Sequence, residues 1–236
     1  AVPTTPALQP AFDDTALSPM RKTIARRLVL AKQTIPHFYL TSECDARPLL
    51  DFRAALLALG DDAKVSINAL IVKAAALALR QVPAANASFF EDRIRTFSAV
   101  HIGVAVSVPD GLVVPGIRDA DKKGLRAIAR ETRELAARAR ERRLNAEEMT
   151  GSTFSITNLG MYGVDHFAAI INPPEAGILA VGAIRARPVV DGDGLIPCKR
   201  MTLTLSLDHR VLDGVLGARL LGEIIKVLEH PAALAL

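Results

Sequence analysis

Tryptophan is absent from this 236-residue chain and aromatics make up only 4% of it. The interior must therefore be packed from Ala, Val, Leu and Ile. Cysteine is almost absent too: Cys44 and Cys198 are far apart, with neither metal-ligand nor Cys-x-x-Cys spacing, and read as two reduced thiols in a reducing compartment. No P-loop, no Gly-x-Ser-x-Gly and no Gly-x-Gly-x-x-Gly occurs, which argues against a nucleotide hydrolase, a serine esterase and a dinucleotide oxidoreductase. No signal peptide and no apolar run of spanning length is present, so no membrane partner is expected. Charge of one sign is also scarce. The net charge is +4, with basic and acidic residues interleaved, above all between 118 and 143. That pattern reads as a solvated face rather than a nucleic-acid stripe. Asp208, His209 and Asp213 find no further clustered ligand to complete a metal site, so no metal is expected.

What is present is a large apolar fraction, 50% of the residues, enough for a large core, in a length that suits one sizeable α/β domain or two small ones; no second domain boundary is visible. Residues 1–17 are rich in Pro and Ala without periodicity and read as the end of an extended linker, leaving 18–236 as the folded domain. Ser18-Pro19 is a cap followed by Pro at the first helical position. It opens a basic helix to about Gln33 that is expected to bury Ile24, Leu28 and Ala31. Pro36 ends it, and His37–Glu43 reads as a strand. An amphipathic helix spans 48–59. Ser66 caps a helix over 67–80 that is apolar nearly all round and so buried. Pro109-Asp110-Gly111 separates two apolar runs, 100–108 and 112–117, as in a hairpin. A long helix covers 124–143, and Asn145 with Glu148 suits a short capped helix. Gly151–Gly160 is a strand entering a glycine-containing loop, Asn172–Gly182 a turn and a buried strand, and Asp191-Gly192-Asp193-Gly194 a hairpin turn.

The chemistry concentrates near the end. Met201, Leu203, Leu205 and Leu207 alternate with Thr202, Thr204, Ser206 and Asp208, the period of a half-buried strand. A helical period starts after Gly214. His209 therefore stands where strand gives way to helix, and imidazole is the side chain best suited to moving protons near neutral pH.

The stretch from Asp208 to Gly214, Asp-His-Arg-Val-x-Asp-Gly, resembles the active-site signature of the chloramphenicol acetyltransferase superfamily. In its fuller form it resembles the dihydrolipoamide acyltransferase catalytic domains of 2-oxoacid dehydrogenase complexes. Met20–Leu28 and Ile35–Thr41 resemble the start of the acetyltransferase branch, that of pyruvate dehydrogenase complexes, and the resemblance runs in order from about Ser18 to the end. It implies a two-layer α/β sandwich, with a mixed, largely antiparallel sheet covered by helices. It also implies acetyl transfer from a lipoyl arm to coenzyme A, in the bacterial cytoplasm or the mitochondrial matrix. Neither a lipoyl module nor a partner-binding module is expected within these residues.

By resemblance, His209 is the base that generates the thiolate, because a free thiol has a pKa of about 8.5. Thr157 is the oxyanion donor. Asp213 belongs to a salt bridge holding the site, with Arg21 as the suggested partner, although Asp213 suits a helix cap equally well. The coenzyme A positions that carry over are Arg53, Ser66, Ser107, Asn158 and Gly182. The family further implies a homotrimer with shared active sites, built into a cubic or icosahedral core (icosahedral favoured by closeness to mitochondrial-type enzymes). Its partners would be lipoyl domains and the decarboxylase and dihydrolipoamide dehydrogenase components. Rival readings are an acyltransferase of another 2-oxoacid complex, a free-standing small-molecule acetyltransferase and an assembly scaffold that has lost catalysis.

Overall fold

The computed structural model describes residues 11–60 and 64–235. In chain order these form α1 (Pro19–Thr34), β1 (His37–Asp45), α2 (Arg47–Ala58), α3 (Ile67–Gln81), β2 (Ala87–Phe90), β3 (Arg93–Thr96), β4 (Ile102–Val104), β5 (Val106–Val108), β6 (Gly111–Val113) and β7 (Gly116–Ile117). Then come α4 (Leu125–Arg140), β8 (Phe154–Asn158), β9 (Gly177–Asp191), β10 (Gly194–Asp208) and α5 (Gly214–Glu229). One sheet of six strands, ordered β1-β10-β9-β8-β4-β7, carries the domain. Its pairings are antiparallel except for β9–β8 and β8–β4, which are parallel. This is the mixed, largely antiparallel sheet that the sequence implies.

Local chemistry sets most boundaries. The Ser18 hydroxyl accepts from the Arg21 N–H at 3.2 Å and that of Ser66 from the Ala69 N–H at 3.1 Å, each filling one orphan donor of a helix start. Apolar residues nearly all round α3 bury it, from Ala69 through Ala76. Asp191-Gly192-Asp193-Gly194 closes β9 onto β10 with Asp191 opposite Gly194. The hairpin around Pro109-Asp110-Gly111 is present as β5–β6. Its legs are interrupted at Ala105, whose N–H turns to Ile156 O, and then resume as β4–β7.

Three expectations need correction. First, β10 is not half-buried. Met201, Leu203, Leu205 and Leu207 join the main core, but Thr202, Thr204, Ser206 and Asp208 on the other face are buried as well. Ile178, opposite Ser206, packs against Ala31, Ile35 and Ile171, so the end of α1 and a later loop cover that side. Second, α1 buries only Ala31. Leu28, Val29 and Leu30 are exposed, and Ile24 lies over the turn at Gly111. Third, Asn145 and Glu148 exchange both capping-box bonds, at 2.8 and 3.0 Å, but no helix follows. The carbonyls of Glu147 and Glu148 are taken by the Arg118 guanidinium and the Gly116 N–H instead. Of the linker expected over 1–17, residues 1–10 lie outside the described residues, and 11–17 are exposed with neither helix nor strand.

Two kinds of buried ionisable group stand out. Both cysteines are buried; burial, reinforced by Glu229 and Asp45, pushes the Cys44 thiol up to about 12, and burial also raises Cys198. Glu175, 2% exposed, accepts from Ser152 Oγ at 2.5 Å and Asn172 Nδ2 at 2.9 Å. Desolvation raises its pKa from 4.5 to about 6, only partly offset by the hydroxyls of Ser152 and Ser155 and the Asn172 amide.

A carboxyl whose folded pKa is raised holds its proton more tightly in the native state. Its contribution is greatest below about pH 4.5 and is lost as pH rises through about 6. The shift corresponds to about 2 kcal/mol. Glu175→Gln, neutral at every pH, is expected to unfold several degrees above the unmodified chain at pH 8. The gap should close near pH 4.5 in thermal scans; a gap independent of pH contradicts this account.

Candidate active site

β10 ends at a buried carboxylate. Asp208, 2% exposed, accepts from the Arg210 backbone N–H at 3.0 Å and from its guanidinium at 3.0 Å (Nε) and 2.7 Å (Nη2). The Asp208 carbonyl accepts from the N–H groups of Val211 and Leu212. Arg210 also lies 4.1 Å over the Phe89 ring from β2. Its positive form is favoured by the bond to Asp208, which raises its pKa. A bidentate pair of this kind fixes geometry as well as charge. The turn between β10 and α5 is therefore clamped from within, and His209 projects from it.

The His209 N–H donates to Pro36 O at 3.1 Å, and its ring meets Phe38 with centroids 4.5 Å apart, tilted by 47°. The imidazole itself is exposed. Asp213 caps α5, accepting from the Leu216 N–H at 2.7 Å. Among the described residues no arginine pairs with it, Arg21 included, so within one chain Asp213 acts as the cap.

Thr157 sits on β8, remote from His209. It lies opposite Ala180 of β9, which lies opposite Thr204 of β10, five residues before His209. Two strand spacings and five residue rises put the two backbone positions roughly 19 Å apart. Thr157, Asn158 and Ser107 instead line one cavity of about 280 Å³ between β4–β6, β8 and α4. The Asn158 amide donates to Asn68 Oδ1 at 2.6 Å, and its oxygen accepts from the Gly160 N–H at 2.8 Å. Asn68 is two residues from Ser66, and Arg53 Nε donates to Val65 O at 2.9 Å. Arg53 and Ser66 thus adjoin the cavity at the start of α3 without lining it.

Gly182 does not line the cavity either. It is buried, and a Cβ there would stand 1.9 Å from Asp165 O. Its role in this chain is to let the loop after β8 pack onto β9. The α4 face of Thr132, Leu135, Ala136 and Arg140 forms one cavity wall; sequence reading assigned none of Thr132, Ala136 and Arg140 to the site. Their signal was the i, i+3, i+4, i+8 spacing, hidden among the outward charges of the helix.

The mixed sheet and its covering helices define the fold class. A solved chloramphenicol acetyltransferase matches the fold with a TM-score of 0.55, at 14% identity, covering 88% of this chain and 94% of that one. Within that class, the chain belongs to the family of 2-oxoacid dehydrogenase acyltransferases (catalytic domain), whose model matches residues 9–236. The acetyltransferase component of the pyruvate dehydrogenase complex of Rhizobium meliloti is 47% identical over 90% of the chain and 49% of that protein. The mitochondrial component of Caenorhabditis elegans is also 47% identical, over 95% and 46%. The chain spans about half the length of these relatives.

Two solved structures superpose closely. The cubic core of a pyruvate dehydrogenase multienzyme complex gives a TM-score of 0.93 at 34% identity, covering 100% and 99% of the two chains. Azotobacter vinelandii dihydrolipoamide acetyltransferase gives 0.92 at 34%, covering 96% and 95%. That structure comes from an investigation of a serine, a histidine and an asparagine in its catalytic mechanism.

Asp208 and Asp213 should separate in mutagenesis. Asp213→Ala removes one helix cap, about 1 kcal/mol, and is expected to lower the thermal midpoint by about 2–4 °C. Asp213→Asn keeps the cap and should leave the midpoint in place. Asp208→Ala strands Arg210 beside a half-open turn and is expected to cost about 3 kcal/mol. Equal midpoints for Asp208→Ala and Asp213→Ala would show that the clamp adds nothing.

Proposed function

We propose that this chain is the catalytic domain of a dihydrolipoyllysine-residue acetyltransferase, passing an acetyl group from acetyl-dihydrolipoamide to coenzyme A in the core of a pyruvate dehydrogenase complex. The observation that carries this reading is a set of separations. In the Azotobacter study the histidine follows the serine by 52 residues and the asparagine follows the histidine by four. Thr157, His209 and Asp213 stand at the same separations here. Threonine keeps the hydroxyl of serine, and aspartate the capping oxygen of asparagine.

In this reading His209 takes the proton of the coenzyme A thiol, and the thiolate attacks the acetyl thioester carbonyl. The Thr157 hydroxyl donates to the oxyanion that forms, an interaction that strengthens as charge develops. Collapse of the tetrahedral intermediate breaks the bond to the lipoyl sulfur, which leaves as a thiol with the proton from His209. Coenzyme A occupies the side of Thr157, with Arg53, Ser66, Ser107 and Asn158 as its contacts. Lipoamide arrives on a lipoyl domain.

One chain holds His209 and Thr157 roughly 19 Å apart, too far to serve one carbonyl. The reading therefore places each active site between subunits of a homotrimer, His209 from one and Thr157 from its neighbour. The exposed Leu28, Val29 and Leu30 of α1 supply apolar surface for such contacts. Trimers assemble further into a hollow core. Identity is higher to the mitochondrial relative, 47%, than to the cubic-core chain, 34%, which favours the icosahedral form. Its other partners are the decarboxylase and dihydrolipoamide dehydrogenase components, in a bacterial cytoplasm or a mitochondrial matrix. Residues 1–17 serve as the end of the linker and 18–236 as the catalytic domain.

Complementation tests the reading. His209→Ala is expected to lose at least 10²-fold in acetyl transfer to coenzyme A, and Thr157→Ala about 10²-fold. Unfolded together in equal amounts and reassembled, the two variants should place an intact His209 against an intact Thr157 at about a quarter of the interfaces of a cyclic trimer. Activity should return to roughly that share of the unmodified level. Mixed particles verified by mass spectrometry but showing no recovery would rule out the shared site.

A further inference from the structure

The cavity beside Thr157 is walled by uncharged side chains with one exception. Val104, Val106, Leu112, Leu135 and Ile156 give it apolar walls beside the uncharged polar groups of Ser107, Thr132, Thr157 and Asn158, and Arg140 is the single charged residue among the described residues lining it. Arg140 closes the α4 face that begins at Thr132, eight residues or about 12 Å along the helix.

Its neighbours in sequence are otherwise engaged. Arg138 pairs with Glu148 at 2.5 Å, Arg142 with Asp110 and Arg143 with Glu141. Among the described residues Arg140 has no hydrogen bond or ion pair and is exposed. Three arginines at the end of α4 are thus neutralised by carboxylates, and the fourth, turned to the cavity, is not. Helix-end electrostatics favours a cation here, but it explains none of this selectivity, since all four share that end.

A guanidinium at the edge of an apolar cavity is a receptor for an anion, with a planar fork matched to phosphate. The cavity, about 280 Å³, is smaller than the usual range for a drug-sized ligand. It therefore takes the uncharged arm of a coenzyme and leaves the phosphorylated end at the mouth.

We propose that Arg140 is a phosphate-recognition residue at the mouth of the cavity, binding the phosphorylated nucleotide end of coenzyme A while the apolar walls hold the pantetheine arm. This rests on the functional reading above and adds a contact to the Arg53 side of the site. Two arginine contacts make the affinity for coenzyme A depend on ionic strength, because each is charge-assisted.

The assembled protein tests it with three acceptor thiols: coenzyme A, 3′-dephospho-coenzyme A and pantetheine, which carries no nucleotide. Arg140→Gln is expected to raise KM for coenzyme A about tenfold or more, the size of one lost charge-assisted bond, with kcat within twofold. KM for pantetheine should stay unchanged, and Arg140→Lys should recover most of the loss. An unchanged KM for the dephospho form would place the contact on the 3′-phosphate; an increase matching that for coenzyme A would place it on the diphosphate. Equal increases for coenzyme A and pantetheine would mark a structural role and overturn the proposal. So would a KM for coenzyme A within twofold of the unmodified value in an active protein, which leaves the functional reading standing. An unmodified protein that transfers acetyl to none of the three thiols overturns the functional reading and this inference together.

Discussion

The burial of β10 from Met201 to Asp208, on both faces and along both edges, is the constraint on which the site depends. Met201, Leu203, Leu205 and Leu207 fill the core under α3 and α5, while Thr202, Thr204, Ser206 and Asp208 are sealed on the other side. A register slip of one residue would exchange these two rows and drive four polar groups into the aliphatic core. The strand therefore has one register against β1 and β9, and that register decides where it ends. Asp208 arrives opposite His37, the carboxylate finds Arg210, and His209 emerges beside Phe38 with no freedom left in its backbone. The side chain proposed to transfer the proton is thus held by packing some distance behind it.

The other half of the chemistry is built on different physics. β8 reaches Thr157 and Asn158 through parallel neighbours, and the Asn158 amide is spanned between Asn68 and Gly160. Here polar side chains face an apolar cavity, whereas at His209 an ion pair backs a polar turn. In the proposed trimer, the separation of the two halves within a chain would make each subunit an incomplete instrument, and selection on the subunit interface would become selection on catalysis.

The caps, turns and buried strands were legible because their causes are local. Ser18-Pro19, Ser66, Pro36 and Asp191–Gly194 each act through their own backbone, and structure follows them within a residue or two. The motif around His209 was legible because strand period and helix period meet there. What escaped the sequence were relations between distant segments. Leu28 reads as buried by period alone, yet nothing among the described residues covers it. Asn145 and Glu148 carry the chemistry of a helix start, but Arg118 and Gly116 take the carbonyls that a helix would need. Gly182, matched to a ligand position by resemblance, is also a close approach between two backbone segments. The charged face of α4 concealed a cavity wall, because the residues that oppose it lie on β4–β6 and β8.

The two buried cysteines have a meaning that follows from the chemistry proposed for the site. An enzyme that moves acyl groups from one thiol to another works among reactive thioesters and a dithiol able to reduce or exchange with any accessible sulfur. Cys44, with its thiol pushed up to about 12, and Cys198, also raised, remain protonated at neutral pH. A protonated, enclosed sulfur neither captures an acyl group nor attacks a disulfide. The fold thus keeps its own sulfur chemically silent, so that the only thiolate formed there is the one the substrate brings.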